Sequence, residues 1–339
     1  MTAMNTRTPA RPLADVLAWS KSLAEPALRA AADRLPEAMR RIAGYHFGWW
    51  DADGRAASAD GGKALRPALV LLCAEAAGGD PADAVPTAVA VELVHNFSLL
   101  HDDVMDGDTT RRHRPTAWTV FGIGPAVLAG DALLSLAFEV LAPSGAANAR
   151  LLSAAVLALN EGQAADLDFE QRDDVTPGEC VRMAEGKTAA LLGAACALGA
   201  ASGPRPADGF GAFGRALGLA FQHIDDLLGI WGDPAVTGKP VYSDLQNRKK
   251  SLPVVTALSS GTDAGAELAA LYARRDPLGP ADLARAATLV EAAGGRQWSQ
   301  AQADALLAKA LRDLTAATPT PRAAAELTSL ARLITTRTH

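Results

Sequence analysis

Pro86-Thr87-Ala88-Val89-Ala90-Val91-Glu92-Leu93-Val94-His95-Asn96-Phe97-Ser98-Leu99-Leu100-His101-Asp102-Asp103-Val104-Met105-Asp106 is the stretch on which the fold turns. It reads as one long helix with an apolar middle, interrupted only by Glu92, His95, Asn96 and Ser98. A helix apolar nearly all round belongs inside a large bundle. At its end Asp102 and Asp106 are four apart and Asp103 and Asp106 three apart, so a helix gathers these carboxylates on one face. Clustered carboxylates repel one another and resist leaving water unless a cation joins them. A hard divalent ion such as Mg²⁺ suits oxygen donors of this kind. The plainer reading is a solvated helix end, and the segment alone fits both.

A second segment has the same character. Phe221-Gln222-His223-Ile224-Asp225-Asp226-Leu227-Leu228-Gly229 again sets paired aspartates at the end of an apolar helix, with Asp233 following. Two such pairs imply a deep pocket lined by carboxylates. Basic residues accompany both: Lys63 and Arg66 one turn apart, then Arg111, Arg112, His113 and Arg114, then Lys239, Arg248, Lys249 and Lys250. Carboxylates for metals and cations for diphosphate make one coherent chemistry. Any single basic residue, Arg114 and Lys250 among them, also reads as ordinary surface charge.

The rest of the chain supports an all-α protein. Ala and Leu dominate, and β-branched runs are short. Residues 1–12 lack periodicity and read as a disordered segment. Helical patterns run over about 13–42, across Pro26 and Pro36, then over 67–77, 125–140, 148–172, 177–200 and 209–230. A Gly, Pro and Lys-rich loop occupies 232–250, and Ala/Leu-rich helices with turns at 277–280 and 294–295 complete the chain. No period of 20–50 residues points to a solenoid. No linker divides the chain, so residues 13–339 are expected to form a single domain.

Composition narrows the function classes. The 339 residues are 49% hydrophobic, enough for a sizeable core. A net charge of -6 disfavours nucleic acid as a partner. Cys73, Cys180 and Cys196 share no metal-ligand spacing and read as buried thiols in a reducing compartment. The N-terminus has no signal-peptide core, and the apolar stretches are interrupted, so no membrane span is expected. Together these readings point to the cytoplasm.

In this setting the motifs resemble those of the trans-type polyprenyl diphosphate synthases, in particular farnesyl and geranylgeranyl diphosphate synthases of actinobacterial type. The resemblance runs from about Ala43 onward. It rests on Gly62-Lys63-Ala64-Leu65-Arg66-Pro67, Glu92-Leu93-Val94-His95, His101 to Asp106, Gly162-Gln163 with Asp166, Lys187-Thr188, Phe221 to Asp226, Gly238-Lys239 and Lys249-Lys250-Ser251-Leu252-Pro253. It implies the isoprenoid synthase fold, a single large orthogonal helical bundle around a deep central cavity, usually in a homodimer. It also implies three Mg²⁺ ions, with Mn²⁺ as a substitute, held by Asp102, Asp103 and Asp106 and by Asp225 with Asp226. Arg111, Lys187, Thr188, Gln222, Lys239 and Lys249 would then serve the allylic diphosphate, and Lys63, Arg66, His95 and Arg112 isopentenyl diphosphate. One departure stands out: Gly229 occupies the place of the family's third aspartate in the second motif, and Asp233 is a candidate to supply the charge.

The same resemblance bears on product length. Phe97 lies about one turn below the metal site with Ser98 beside it, and Val94 lies about two turns below. A single aromatic floor at Phe97 is similar to C20 synthases and predicts geranylgeranyl diphosphate, with farnesyl diphosphate second. Phe97 also reads as plain core packing. A terpene cyclase on the same scaffold would not need Lys63, Arg66 and His95. A noncatalytic or shell-associated cargo subunit is the rival from a different class.

Overall fold

The computed structural model describes residues 9–57, 64–234, 240–274 and 276–335. Lys63 and Lys239, both assigned to diphosphate above, therefore lie outside the described residues, as do residues 1–8 of the expected disordered segment. The described chain is helical almost throughout. It begins with α1 (Leu13–Ala32), α2 (Glu37–His46), α3 (Leu65–Ala76) and α4 (Val85–Met105). There follow α5 (Ala117–Phe121), α6 (Ile123–Leu141), α7 (Ala146–Glu170) and α8 (Pro177–Ala184). A π-turn at Glu185–Ala189 joins α8 to α9 (Ala190–Ala200), and α10 spans Asp208–Trp231. The remainder is α11 (Ser243–Gln246), α12 (Leu252–Leu258), α13 (Asp263–Tyr272), α14 (Pro280–Ala292), α15 (Gly295–Ala316) and α16 (Pro321–Thr335). Pro26 sits within α1 without ending it, whereas Pro36 caps α2.

Contacts group the chain into two compact units. The first comprises Met1–Ala154, Ala194–Gly211 and Thr315–Leu327. Its centre is α3, in which every residue from Ala68 to Ala74 is fully buried. Gly199 of α9 permits close approach to α3, since a Cβ there would sit 2.9 Å from the Val70 carbonyl carbon and nearer still to its oxygen. Helix α4 lies along α6, where Gly130 makes room for the His101 ring and His101 Nε2 lies 3.0 Å from Val127 O. By length and composition alone, Ile123–Ser144 could cross a membrane, which the sequence reading had not expected. Its packing on α4 fully buries Ala126, Ala129, Leu133 and Leu141, with 39% of the apolar window buried. Its other face leaves Ile123 and Leu128 more than half exposed.

The second unit comprises Ala155–Gly193, Ala212–Leu314 and Thr328–His339. Two glycines let α7 cross the π-turn closely. A Cβ on Gly162 would lie 2.8 Å from Met183 O and nearer to Lys187 N, and one on Gly186 would lie 2.6 Å from Ala158 O. Helix α12 is buried, and its Val254 and Ala257 share a core with Leu268, Ala286 and Val290 of α13 and α14. His223 of α10 lies inside, bonded through Nδ1 to Ser299 Oγ of α15 at 2.8 Å. Burial pushes its pKa down to about 4.

Candidate active site

In the first unit the last turn of α4 carries Asp102 and Asp103, and Asp106 caps it. The helix macrodipole disfavours anions at a C-terminus, so this placement costs stability and calls for cations. One is supplied by the protein. Asp103 is 1% exposed and pairs with Arg111, whose Nε donates to Oδ1 at 2.6 Å. Burial pushes Asp103 up to about 6; Arg111 opposes this, while Asp108 and Asp106 add to it. Asp102 is half-buried and Asp106 exposed.

The segment after α4 contains a hairpin pairing Thr110–Arg111 with Arg114–Pro115. Arg112 and His113 form its turn with φ of 51° and 61°. Such turns favour Asn and Gly, so two larger side chains here are held against a conformational cost. Arg114, read from sequence as possible surface charge, is structural. It donates to Tyr45 O at 2.9 Å and Trp50 O at 3.1 Å, and its guanidinium lies over the Tyr45 ring.

The hairpin brings Arg111 and Arg112 toward Arg66 and two imidazoles. Arg66 stands in the first turn of α3, launched by Ala64 in a left-handed conformation. Burial lowers its pKa to about 10, Glu92 working in the other direction, and its Nε is buried without a partner. Burial also drives His95 well below its usual range, helped by Arg66, Arg112, Arg111 and His46. His46, at the end of α2, falls to about 3 by burial and by Arg112 and Arg111. Neutral imidazoles beside arginines make a cationic recess with unused hydrogen-bonding capacity, as an anion site requires. The sequence reading placed Arg66, His95 and Arg112 here but missed His46. The signal available was its place in Tyr45-His46-Phe47-Gly48-Trp49-Trp50, an aromatic cluster in which a histidine is the one titratable ring besides tyrosine. His46 Nε2 and Asp103 Oδ2, both buried and unpartnered, belong to residues lining one cavity of about 20 Å³, room for a single water.

In the second unit α10 carries Gln222, Asp225 and Asp226. Asp226 is 1% exposed; Oδ1 accepts from Gln222 Nε2 at 2.8 Å and Oδ2 from Leu252 N at 2.9 Å. Burial pushes it up to about 6, against the pull of Lys249 3.7 Å away. Asp225 is exposed. Thr188 Oγ1 donates to Gln222 Oε1 at 2.5 Å, a bond that joins the π-turn to α10. Lys187 lies in the π-turn and reaches Asp166 Oδ2 at 2.6 Å, which holds Asp166 below its ordinary range despite burial. Burial opposes the Lys249 charge, but Asp244, Asp226, Asp166 and Asp225 hold its pKa well above normal. Asp244 was missed by the sequence reading. Asp233, its candidate, is exposed beyond the end of α10. Phe97 and Val94 are buried in α4; the Phe97 ring meets His101 edge-on at 4.9 Å, and Ser98 Oγ donates to His95 O.

All these candidate donors are carboxylate oxygens. Among the described residues no three His, Cys, Asp or Glu side chains converge to hold a metal by themselves. The donor set, with Asp103 Oδ2 buried and unpartnered, fits Mg²⁺, which keeps waters and takes one or two carboxylates together with phosphate oxygens rather than an all-protein cage.

A helical chain with two such carboxylate groups, each among cations, has the makings of a diphosphate-handling enzyme. The polyprenyl synthetase family model matches residues 53–290, and the chain belongs to that family, the trans-type polyprenyl diphosphate synthases. It is 51% identical over 333 residues to a (2E,6E)-farnesyl diphosphate synthase of Mycobacterium tuberculosis, covering 95% of this chain and 92% of that protein. It is 48% identical over 320 residues to a geranylgeranyl diphosphate synthase of the same organism, covering 92% and 90%. The crystal structure of a polyprenyl synthetase from Streptomyces coelicolor A3(2) superposes with a TM-score of 0.91 at 47% identity, covering 95% of this chain and 99% of that one. The helical architecture is that of the isoprenoid synthase fold.

Proposed function

We propose that this protein joins isopentenyl diphosphate to an allylic diphosphate by ionisation, condensation and elimination. The observation that carries the reading is the recess of Arg66 and Arg112 around His46 and His95. A cyclase, which handles one diphosphate, has no use for a second anion site apart from Lys187, Lys249 and Gln222. Asp102, Asp103 and Asp106, and Asp225 with Asp226, would hold Mg²⁺, which when bound neutralises charge developing on the leaving diphosphate. Arg111, Lys187 and Lys249 add fixed positive charge at the leaving group, and Arg66, His95 and Arg112 orient the second substrate. The side-chain oxygens of Thr188 and Gln222 face each other and are suited to steady an allylic cation. The proton lost after condensation passes to the departing diphosphate, so no histidine base is required.

The product is a short-chain prenyl diphosphate. The farnesyl reading, second at the outset, draws support from the 51% identity to a farnesyl diphosphate synthase, and the geranylgeranyl reading from Phe97 and the 48% identity to a geranylgeranyl diphosphate synthase. The exposed Ile123 and Leu128 on α6 support a homodimer. The three free, buried cysteines suit a cytoplasmic enzyme. Neither compact unit is one continuous stretch, in keeping with one catalytic domain. The deciding experiment offers dimethylallyl, geranyl and farnesyl diphosphates in turn, with and without isopentenyl diphosphate, in Mg²⁺. Prenyl diphosphates one or more C5 units longer, formed only with isopentenyl diphosphate, are expected. Hydrocarbon released from farnesyl diphosphate alone would favour a cyclase, and no turnover of any pair would favour a noncatalytic or cargo subunit.

A further inference from the structure

Arg111 and Arg112 are neighbours on the hairpin after α4, yet the structure holds them in different ways. Arg111 is fixed through its own side chain, by the ion pair with Asp103. Arg112 opens the turn, and both it and His113 take the left-handed conformation. Neither is the glycine or asparagine that accepts such a turn without cost, so contacts from outside the turn have to sustain it.

Those contacts come from the end of α2 and the residues just after it. Tyr45 Oη donates to Pro115 O of the second strand at 2.8 Å. In return Arg114 donates from one nitrogen to Tyr45 O and from another to Trp50 O. Its guanidinium lies 4.3 Å from the centre of the Tyr45 ring, which Phe121 of α5 meets edge-on at 5.3 Å. Tyr45 is thus bonded to the hairpin through both its hydroxyl and its carbonyl. The base of the hairpin is closed separately, by Thr116 Oγ1 and Trp118 Nε1, which both donate to Asp108 O at 2.8 Å. A planar guanidinium can fork to two carbonyls in this way, whereas an ammonium is a point charge. His46 follows Tyr45 directly and shares a cavity wall with Arg112. One set of bonds therefore fixes both the strand after Arg112 and the imidazole beside it.

We infer, on the reading of the recess as the isopentenyl diphosphate site, that Tyr45 and Arg114 are positioning residues for that substrate: together they lock the turn that presents Arg112 to Arg66, His46 and His95. Neither touches substrate. Loss of the lock frees Arg112, while Arg111 keeps its own anchor on Asp103, so the two substrates are affected unequally.

Titration calorimetry with isopentenyl diphosphate in the absence of Mg²⁺ reads this site without turnover, since its donors are guanidiniums and imidazoles. Steady-state KM values for both substrates read it during turnover. Tyr45→Phe removes one hydroxyl, and Arg114→Lys keeps the charge but cannot span two carbonyls. Binding should weaken about threefold in Tyr45→Phe and about tenfold in Arg114→Lys, the scale of losing one neutral hydrogen bond and a charged fork. The KM for isopentenyl diphosphate should rise in the same order, with kcat and the allylic KM within about twofold of wild type. Wild-type affinity in Arg114→Lys would show that charge alone suffices and would overturn the inference. So would an equal rise in both KM values, the mark of a general loosening. Should Arg114→Lys not fold, the near-isosteric Tyr45→Phe decides alone. A wild type that binds isopentenyl diphosphate but elongates no allylic partner would remove the enzymatic reading, and the calorimetric order of the variants would still decide the inference. An active wild type with both variants unchanged would keep that reading and sink the inference.

Discussion

His46 offers a measurable consequence of the cationic recess. Burial first, then Arg112 and Arg111, hold its folded pKa at about 3, against 6.5 in an unfolded chain. The folded protein therefore refuses a proton that the unfolded chain accepts between those values. Stability is at its full value above about pH 6.5 and declines as pH falls toward 3. At pH 5 the deficit is about 1.5 pH units, or about 2 kcal/mol at 1.36 kcal/mol per unit. His46→Asn removes this titration but keeps a polar side chain of similar reach. Urea midpoints for wild type and variant at pH 7 and pH 5 give a double difference in which the other titrating groups cancel. Wild type should lose about 2 kcal/mol more than the variant on acidification. Equal losses would mean that His46 takes up its proton freely in the folded state, in a recess that is wet and weakly cationic.

Two further predictions concern product length and the close crossing of α7. Phe97→Ala should shift products toward longer chains in a product-length assay, because Phe97 stands one turn before the aspartates; an unchanged distribution would reduce Phe97 to core packing. Gly162→Ala forces a methyl against Lys187 N and Met183 O, which should destabilise by about 1–3 kcal/mol and raise the KM for the allylic substrate more than that for isopentenyl diphosphate. Equal effects on both KM values would separate Lys187 from the allylic site.

Much of the helical pattern was legible because long apolar helices declare themselves by composition and length. The stretch expected from Pro86 to Asp106 is α4 at Val85–Met105, and that expected from 209 to 230 is α10 at Asp208–Trp231. What resisted reading was backbone geometry set by contacts distant in sequence. The hairpin at 110–115 has a turn of Arg112 and His113, residues that local preference would not place there. At the π-turn of 185–189 Gly186 closely approaches Gly162 of α7, and neither glycine announces a partner in sequence.

The candidate site divides along the same line. Residues on helices at one-turn spacing, such as Asp102 with Asp106 and Gln222 with Asp226, were readable because the helix period fixes their neighbours. His46 and Asp244 were not, since each reaches its group from another element. Sequence reasoning met the gap at Gly229 and looked for its charge further along α10, at Asp233. The helix stops at Trp231, so that residue is out of register, and the carboxylate against Gly229 arrives from α11.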